Sequence, residues 1–153
     1  MKKPVLVLLV SLAILSTALG TPNLSGNWKL NLDKSDFGPL PAPYGLTERI
    51  EHNEPTLAVH WDYSGAKGDM SGKLSYKTDG SKNTNLVGDM EITSTATWEG
   101  DSLKLKSIGT MQGMEIEFSD TWSLSDDGKT ITISRFMSSS MGDANQTLIL
   151  EKQ

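Results

Sequence analysis

From Thr21 onward the chain alternates apolar and polar positions with a period of two, interrupted by Gly, Asp and Asn clusters; no long stretch repeats at the helical 3.6 spacing. Trp28, Leu30 and Leu32 share one face of a first strand, with Lys29, Asn31 and Asp33 opposite. Phe37 to Pro43 carries three prolines, which lack ladder donors, and reads as a crossing loop. Strands resume with Leu46, Glu48 and Ile50 on one face, then Leu57, Val59, Trp61 and Tyr63, then Met70, Leu74 and Tyr76. A more polar strand runs from about Lys82 to Val87. In the second half Met90, Ile92, Ser94, Ala96 and Trp98 alternate with polar neighbours, and Leu103 and Leu105 continue that face beyond the Gly100-Asp101 turn. Met114, Ile116, Phe118, Asp120, Trp122 and Leu124 form a long strand. It turns at Asp126-Asp127-Gly128-Lys129 and returns through Ile131, Ile133, Arg135 and Met137, and Leu148 and Leu150 end the pattern.

Tight turns without helical crossovers make neighbouring strands antiparallel. A meander with one apolar face must pair two sheets or curl on itself, and curling removes the exposed edges. The expected fold is therefore all-β, an up-and-down antiparallel β-barrel of about eight to ten strands, with a two-sheet β-sandwich as the alternative. All four tryptophans, Trp28, Trp61, Trp98 and Trp122, fall on the inward register. Ser94, Asp120 and Arg135, together with Asn83 and Asn85, fall there too, which a solidly packed interior seldom holds and a lined cavity accommodates. Centring the last clear hairpin on Asp127-Gly128 sets Trp122 opposite Ile133 and Asp120 opposite Arg135, close enough for a carboxylate and guanidinium to meet. Arg135 then has two competing roles: a structural one, pairing with Asp120 and covering the Trp28 ring, or a binding one, holding the anionic head of an apolar ligand. An odd-length turn with a bulge would instead rotate the pair apart.

The N-terminus adds a targeting element. Met1-Lys2-Lys3, an apolar run from Val5 to Leu15 and the small residues before Thr21 have the layout of a secretory signal, with Ala18 and Gly20 before the cut. The apolar run is shorter than the roughly 20 residues of a spanning helix. Residues 1–20 are thus expected to be a signal peptide and residues 21–153 one domain of an exported protein, periplasmic or extracellular, without an integral membrane span. Losing Lys2 and Lys3 takes the formal charge from −5 to −7, which disfavours nucleic acid. There is no cysteine, so disulfides, thiolate metal sites and a cysteine nucleophile are excluded, and only His52 and His60 are left for imidazole chemistry. Both histidines read as solvated surface residues, and Asp33, Asp36, Glu51 and Glu54 as a soluble acidic rim. No hydrolase, nucleotide-binding, zinc-protease or calcium-loop motif occurs, and Asp126-Asp127-Gly128 lacks the later calcium ligands. No enzyme, metal or cofactor is expected.

Leu24-Ser25-Gly26-Asn27-Trp28-Lys29-Leu30 is similar to the Gly-x-Trp opening of calycin barrels. With Asp33 to Pro39 and Trp122 to Thr130, it makes the chain resemble their lipocalin-like branch as found in small exported bacterial proteins. The resemblance implies structural roles for Gly26 and Trp28 and a late-strand arginine, here Arg135, packed over Trp28; the register adds Asp120 as its structural partner. The chain lacks the Thr-Asp-Tyr turn motif, disulfides and C-terminal helix of lipocalins proper, and its 37–43 segment is a poor match to the helical lid of the fatty-acid-binding relatives. The implied function is a monomeric, non-catalytic barrel that binds a small hydrophobic, lipid-like or anionic amphipathic ligand. Its interior lining would be Trp61, Tyr63, Met90, Ile92, Trp98, Phe118, Trp122 and Arg135. The alternative is a filled barrel acting as a structural or protein-interaction module, an inhibitor or an envelope partner.

Overall fold

A computed structural model describes residues 20–153; the signal-peptide expectation concerns residues that lie, except for Gly20, outside them. The described residues form ten strands and no helix: β1 (Gly26–Leu30), β2 (Gly45–Asn53), β3 (Thr56–Gly65), β4 (Gly68–Lys77), β5 (Asn83–Val87), β6 (Met90–Glu99), β7 (Ser102–Met111), β8 (Met114–Leu124), β9 (Thr130–Ser139) and β10 (Gly142–Lys152). All pairings are antiparallel, in the order β4-β3-β2-β1-β10-β9-β8-β7-β6-β5, so β1 joins β10 and only a seam between β4 and β5 lacks a ladder. The result is a nearly closed barrel, as the alternation required.

Turn chemistry sets the register. Gly128 takes φ +70° in the β8–β9 turn and donates its N–H to the Ser125 carbonyl at 2.8 Å, a conformation a side chain would disfavour. The resulting ladder sets Leu124 opposite Ile131, Trp122 opposite Ile133 and Asp120 opposite Arg135, as the centred turn predicts.

The up-and-down order gives the barrel two different ends. One gathers the start of β1, the end of β10 and the β2–β3, β4–β5, β6–β7 and β8–β9 turns. Here Leu24, Trp28, Leu57, Leu103, Ile131 and Leu150 are essentially fully buried, and the Trp28 indole donates Nε1–H to the Leu24 carbonyl at 3.0 Å. Each such aliphatic side chain contributes about 1.5–3 kcal/mol by leaving water, so this packed plug supplies much of the stability.

The other end is ringed by the remaining turns and the 31–44 segment. That segment is irregular, as its prolines require, and is tied to the barrel wall rather than laid across the opening: Asp36 pairs with Thr147 along β10, and Phe37 packs on the core. Strand β1 stops at Leu30, because the chain turns away at Asn31; Leu32, expected on the inner face, is 39% exposed instead.

Candidate functional site

Burial along the inner face falls with height on β3, β6, β8 and β9, whereas β7 stays buried up to Gly109 and β10 is buried at Ala144. Reading from the plugged end, Leu57 and Val59 on β3 are buried, and Trp61 and Tyr63 only partly. On β6, Ala96 and Ser94 are buried, and Ile92 and Met90 partly. On β8, Trp122 and Asp120 give way to partly exposed Phe118, Ile116 and Met114; on β9, Ile131 and Ile133 give way to Arg135 and Met137. Side chains that point into a barrel yet keep contact with solvent line an accessible space. The lower half is thus solid, and the upper half is a cup walled by aromatic, aliphatic and methionine side chains.

Charged and polar groups form the floor of this cup. Arg135 and Asp120 make a two-point ion pair, Nε to Oδ1 at 2.9 Å and Nη2 to Oδ2 at 2.7 Å. The Asp120 side chain is 8% exposed, but that of Arg135 keeps 28%. Burial alone would lower the Arg135 pKa; the Asp120 carboxylate outweighs it and holds the guanidinium above its ordinary value. The Trp122 indole also donates to Asp120 Oδ2, at 3.4 Å.

Glu48 of β2 joins this group. Its Oε2 is closed off from solvent and has no hydrogen-bond partner. Burial pushes its carboxyl up to about 7, opposed by the Arg135 charge and reinforced by that of Asp120. Burial likewise raises the Tyr76 phenol. One guanidinium thus shares the interior with two carboxyl groups, one firmly clasped and one unpartnered. Beside Glu48, the Trp61 indole lies flat on the wall over Gly72: a Cβ built on Gly72 would come within 2.6 Å of Trp61 Cζ2. The Trp61 Nε1 is buried and also lacks an acceptor.

The seam is closed by side chains. The Asn85 amide accepts from the Ser75 N–H through Oδ1 and donates to the Ser75 carbonyl through Nδ2, both at 2.9 Å, doing for β4 what a paired strand would do. Asn83 Nδ2 donates to the same carbonyl. These inward-register asparagines therefore complete the wall.

Several expectations need correction. Arg135 does not cover Trp28. Strand stagger sets Trp28 opposite Lys152, whose Nζ lies 5.4 Å from the Trp28 ring, whereas Arg135 stands higher, with Cζ 5.8 Å from the Phe118 ring. His52 is not solvated: its side chain is 3% exposed, its ring stacks on Trp98 at 5.9 Å, and Nδ1 accepts the Leu24 N–H at 3.2 Å. Nor is Glu54 a bare rim carboxylate, for its Oε1 lies 2.8 Å from His52 Nε2 and accepts from Trp98 Nε1 at 2.7 Å, and Thr78 binds Oε2. Burial pushes this carboxyl up, but the hydrogen bonds from Thr78, His52 and Trp98 outweigh it and bring it below its ordinary value.

Of the residues singled out as lining, Trp61, Tyr63, Met90, Ile92, Phe118 and Arg135 border the cup, while Trp122 lies in the packed core and Trp98 at the plugged end. Gly26 opens β1 at φ +149°, a backbone conformation that a side chain would strain. Sequence reading missed the role of Glu48, although its signal was visible as a carboxylate at an inward alternation position. His60 faces outward as expected, half-exposed. Among the described residues no group of three or more His, Cys, Asp or Glu side chains could hold a metal ion, and no helix is long and apolar enough to cross a membrane.

No family model and no curated protein matches this sequence. Solved structures do. A secretory abundant heat soluble protein from Ramazzottius varieornatus is 16% identical over 87% of this chain and 98% of its own, with a TM-score of 0.62. A point mutant of the fluorescent protein UnaG is 13% identical over 84% and 95%, with a TM-score of 0.56. The zebrafish ileal bile acid-binding protein, solved with cholic acid, is 14% identical over 85% and 98%, with a TM-score of 0.54. At these identities the likeness is one of fold, and it establishes that this chain folds as a small β-barrel of the kind these proteins share.

Proposed function

We propose that this protein is an exported, monomeric, non-catalytic carrier that holds a small hydrophobic or amphipathic molecule in the upper half of its barrel. The observation that carries this reading is the burial gradient on β3, β6, β8 and β9, whose inner-face side chains are packed shut below Arg135 and partly open above it. Phe118, Tyr63, Ile92, Met90 and Met137 offer apolar contact for a ligand tail, and methionines adapt to irregular shapes. The partly open guanidinium of Arg135 supplies a polar group at the floor. A cholic acid complex of one barrel with this fold is consistent with such use, by analogy only. The gradient weighs against a wholly filled structural barrel. Export rests on the leader-like residues 1–20.

Native mass spectrometry of the purified protein should show a bound small molecule. Titration with lipid-like probes should quench or shift the emission of Trp61, which borders the cup. A flat titration together with adduct-free spectra would overturn the reading.

A further inference from the structure

The charge count at the floor of the cup bears on what kind of head group it accepts. Arg135 spends Nε and Nη2 on Asp120, and its Nη1 has no acceptor among the described residues. Glu48 Oε2 is enclosed and unpartnered. The groups facing Glu48 are Arg135 from β9, Asp120 from β8 and Tyr76 from β4. Its neighbours on β1 and β3 are Trp28 and Trp61, which do not titrate, and the nearest cation along that row, Lys152, lies beyond Trp28 at the plugged end. The floor therefore holds one positive group against two acidic ones, and the positive group is already neutralised. A ligand anion placed there meets no surplus cation and faces a second carboxyl group.

The donor and acceptor inventory points the same way. The free Nη1 edge of Arg135 requires an acceptor. Glu48 requires a donor when ionised and itself donates when protonated. A hydroxyl or primary amide satisfies both partners in either state, a sulfonate or carboxylate only when Glu48 carries a proton, and an ammonium cannot accept from Arg135. Resting on the carrier reading above, we infer that the interior site receives an uncharged hydrogen-bonding head at Arg135 and Glu48, and that it admits an anionic head only together with a proton on Glu48. This narrows the expectation of an acidic ligand head. It also makes Glu48, rather than Arg135, the residue that determines specificity.

The test compares two probes with the same tail, 1-decanol and decane-1-sulfonate, the second anionic at every working pH, by tryptophan fluorescence at about pH 5.5 and about pH 8.5, on either side of the Glu48 value of about 7. Decanol affinity should stay within about twofold, while sulfonate affinity should fall roughly tenfold or more, as expected for one like charge facing another in a partly desolvated space. Glu48→Gln should remove the fall and leave far-ultraviolet circular dichroism unchanged. Calorimetry of the unaltered protein near pH 7, in buffers of different ionisation enthalpy, should show proton uptake with the sulfonate and none with decanol, so the inference does not depend on the variant folding. Sulfonate binding as tight as decanol at about pH 8.5, or without proton uptake near neutrality, would overturn the inference and leave the carrier reading standing. Binding of neither probe at either pH would overturn both.

Discussion

Asp120 and Arg135 face each other across β8 and β9 and clasp at two points, yet the carboxylate is nearly sealed and the guanidinium is not. That asymmetry places the pair at the boundary between packed core and open cup. Removing one partner of such a pair leaves an uncompensated charge, whereas replacing both with apolar groups of similar size does not. Arg135→Met and Asp120→Leu alone should each cost about 3–5 kcal/mol in urea unfolding, with most of that recovered in the double variant. Additive losses in the double variant would show that the ion pair does not couple the two positions.

Glu48 should make the protein less stable as pH rises. Its carboxyl titrates at about 7 in the folded state against 4.5 ordinarily, so the folded chain binds the extra proton between those values. The stability associated with it is full below 4.5, declines through the window and is lost above about 7, a change of about 3 kcal/mol. Chemical denaturation from about pH 5 to about pH 8 should show this fall in the unaltered protein and a much flatter line in Glu48→Gln. An equal slope in both would exclude Glu48 as its source.

At the plugged end the sign is opposite. Glu54 titrates below its ordinary value because Thr78, His52 and Trp98 donate to it, so its contribution is present above 4.5 and is lost as pH falls through the folded value. Glu54→Ala would strand the Trp98 indole N–H and the Thr78 hydroxyl and should cost about 1–3 kcal/mol. Trp98 emission should move to longer wavelength. No change in either measurement would mean that the latch carries no load.

The seam offers a residue-level check. The Ser75 N–H is bonded to a side chain, not to a strand, so its exchange with deuterium reports on Asn85 alone. Asn85→Leu should expose that amide to exchange while the β3 side of β4 stays protected, at a stability cost of about 1–3 kcal/mol. Continued slow exchange at Ser75 would show that β5 reaches β4 by another route.

Gly72 gives a packing test of the wall. Its backbone needs no unusual φ, so Gly72→Ala acts only by driving a methyl group into the Trp61 ring, at a cost of about 1–3 kcal/mol. Trp61→Phe should relieve part of that cost if the indole lies on the wall, and adding no relief would contradict its placement.

The sequence by itself determined the strands, their antiparallel order and the inward face within most strands, because side chains alternate strictly along a strand and the Asp127-Gly128 turn leaves one register for Asp120 and Arg135. Leu32, where the chain leaves β1, and His52 escaped it. The alternation put Glu48 on the inward face too, but left His52 as a surface residue. What it lacked was height: stagger around a closed barrel decides that Lys152, not Arg135, meets Trp28, that Glu48 lies in the field of the Asp120–Arg135 charges, and that His52 is sealed against Trp98. These are relations between strands far apart in the chain. They depend on the tilt at which the sheet closes, and the same tilt decides which part of the interior is core and which part stays open.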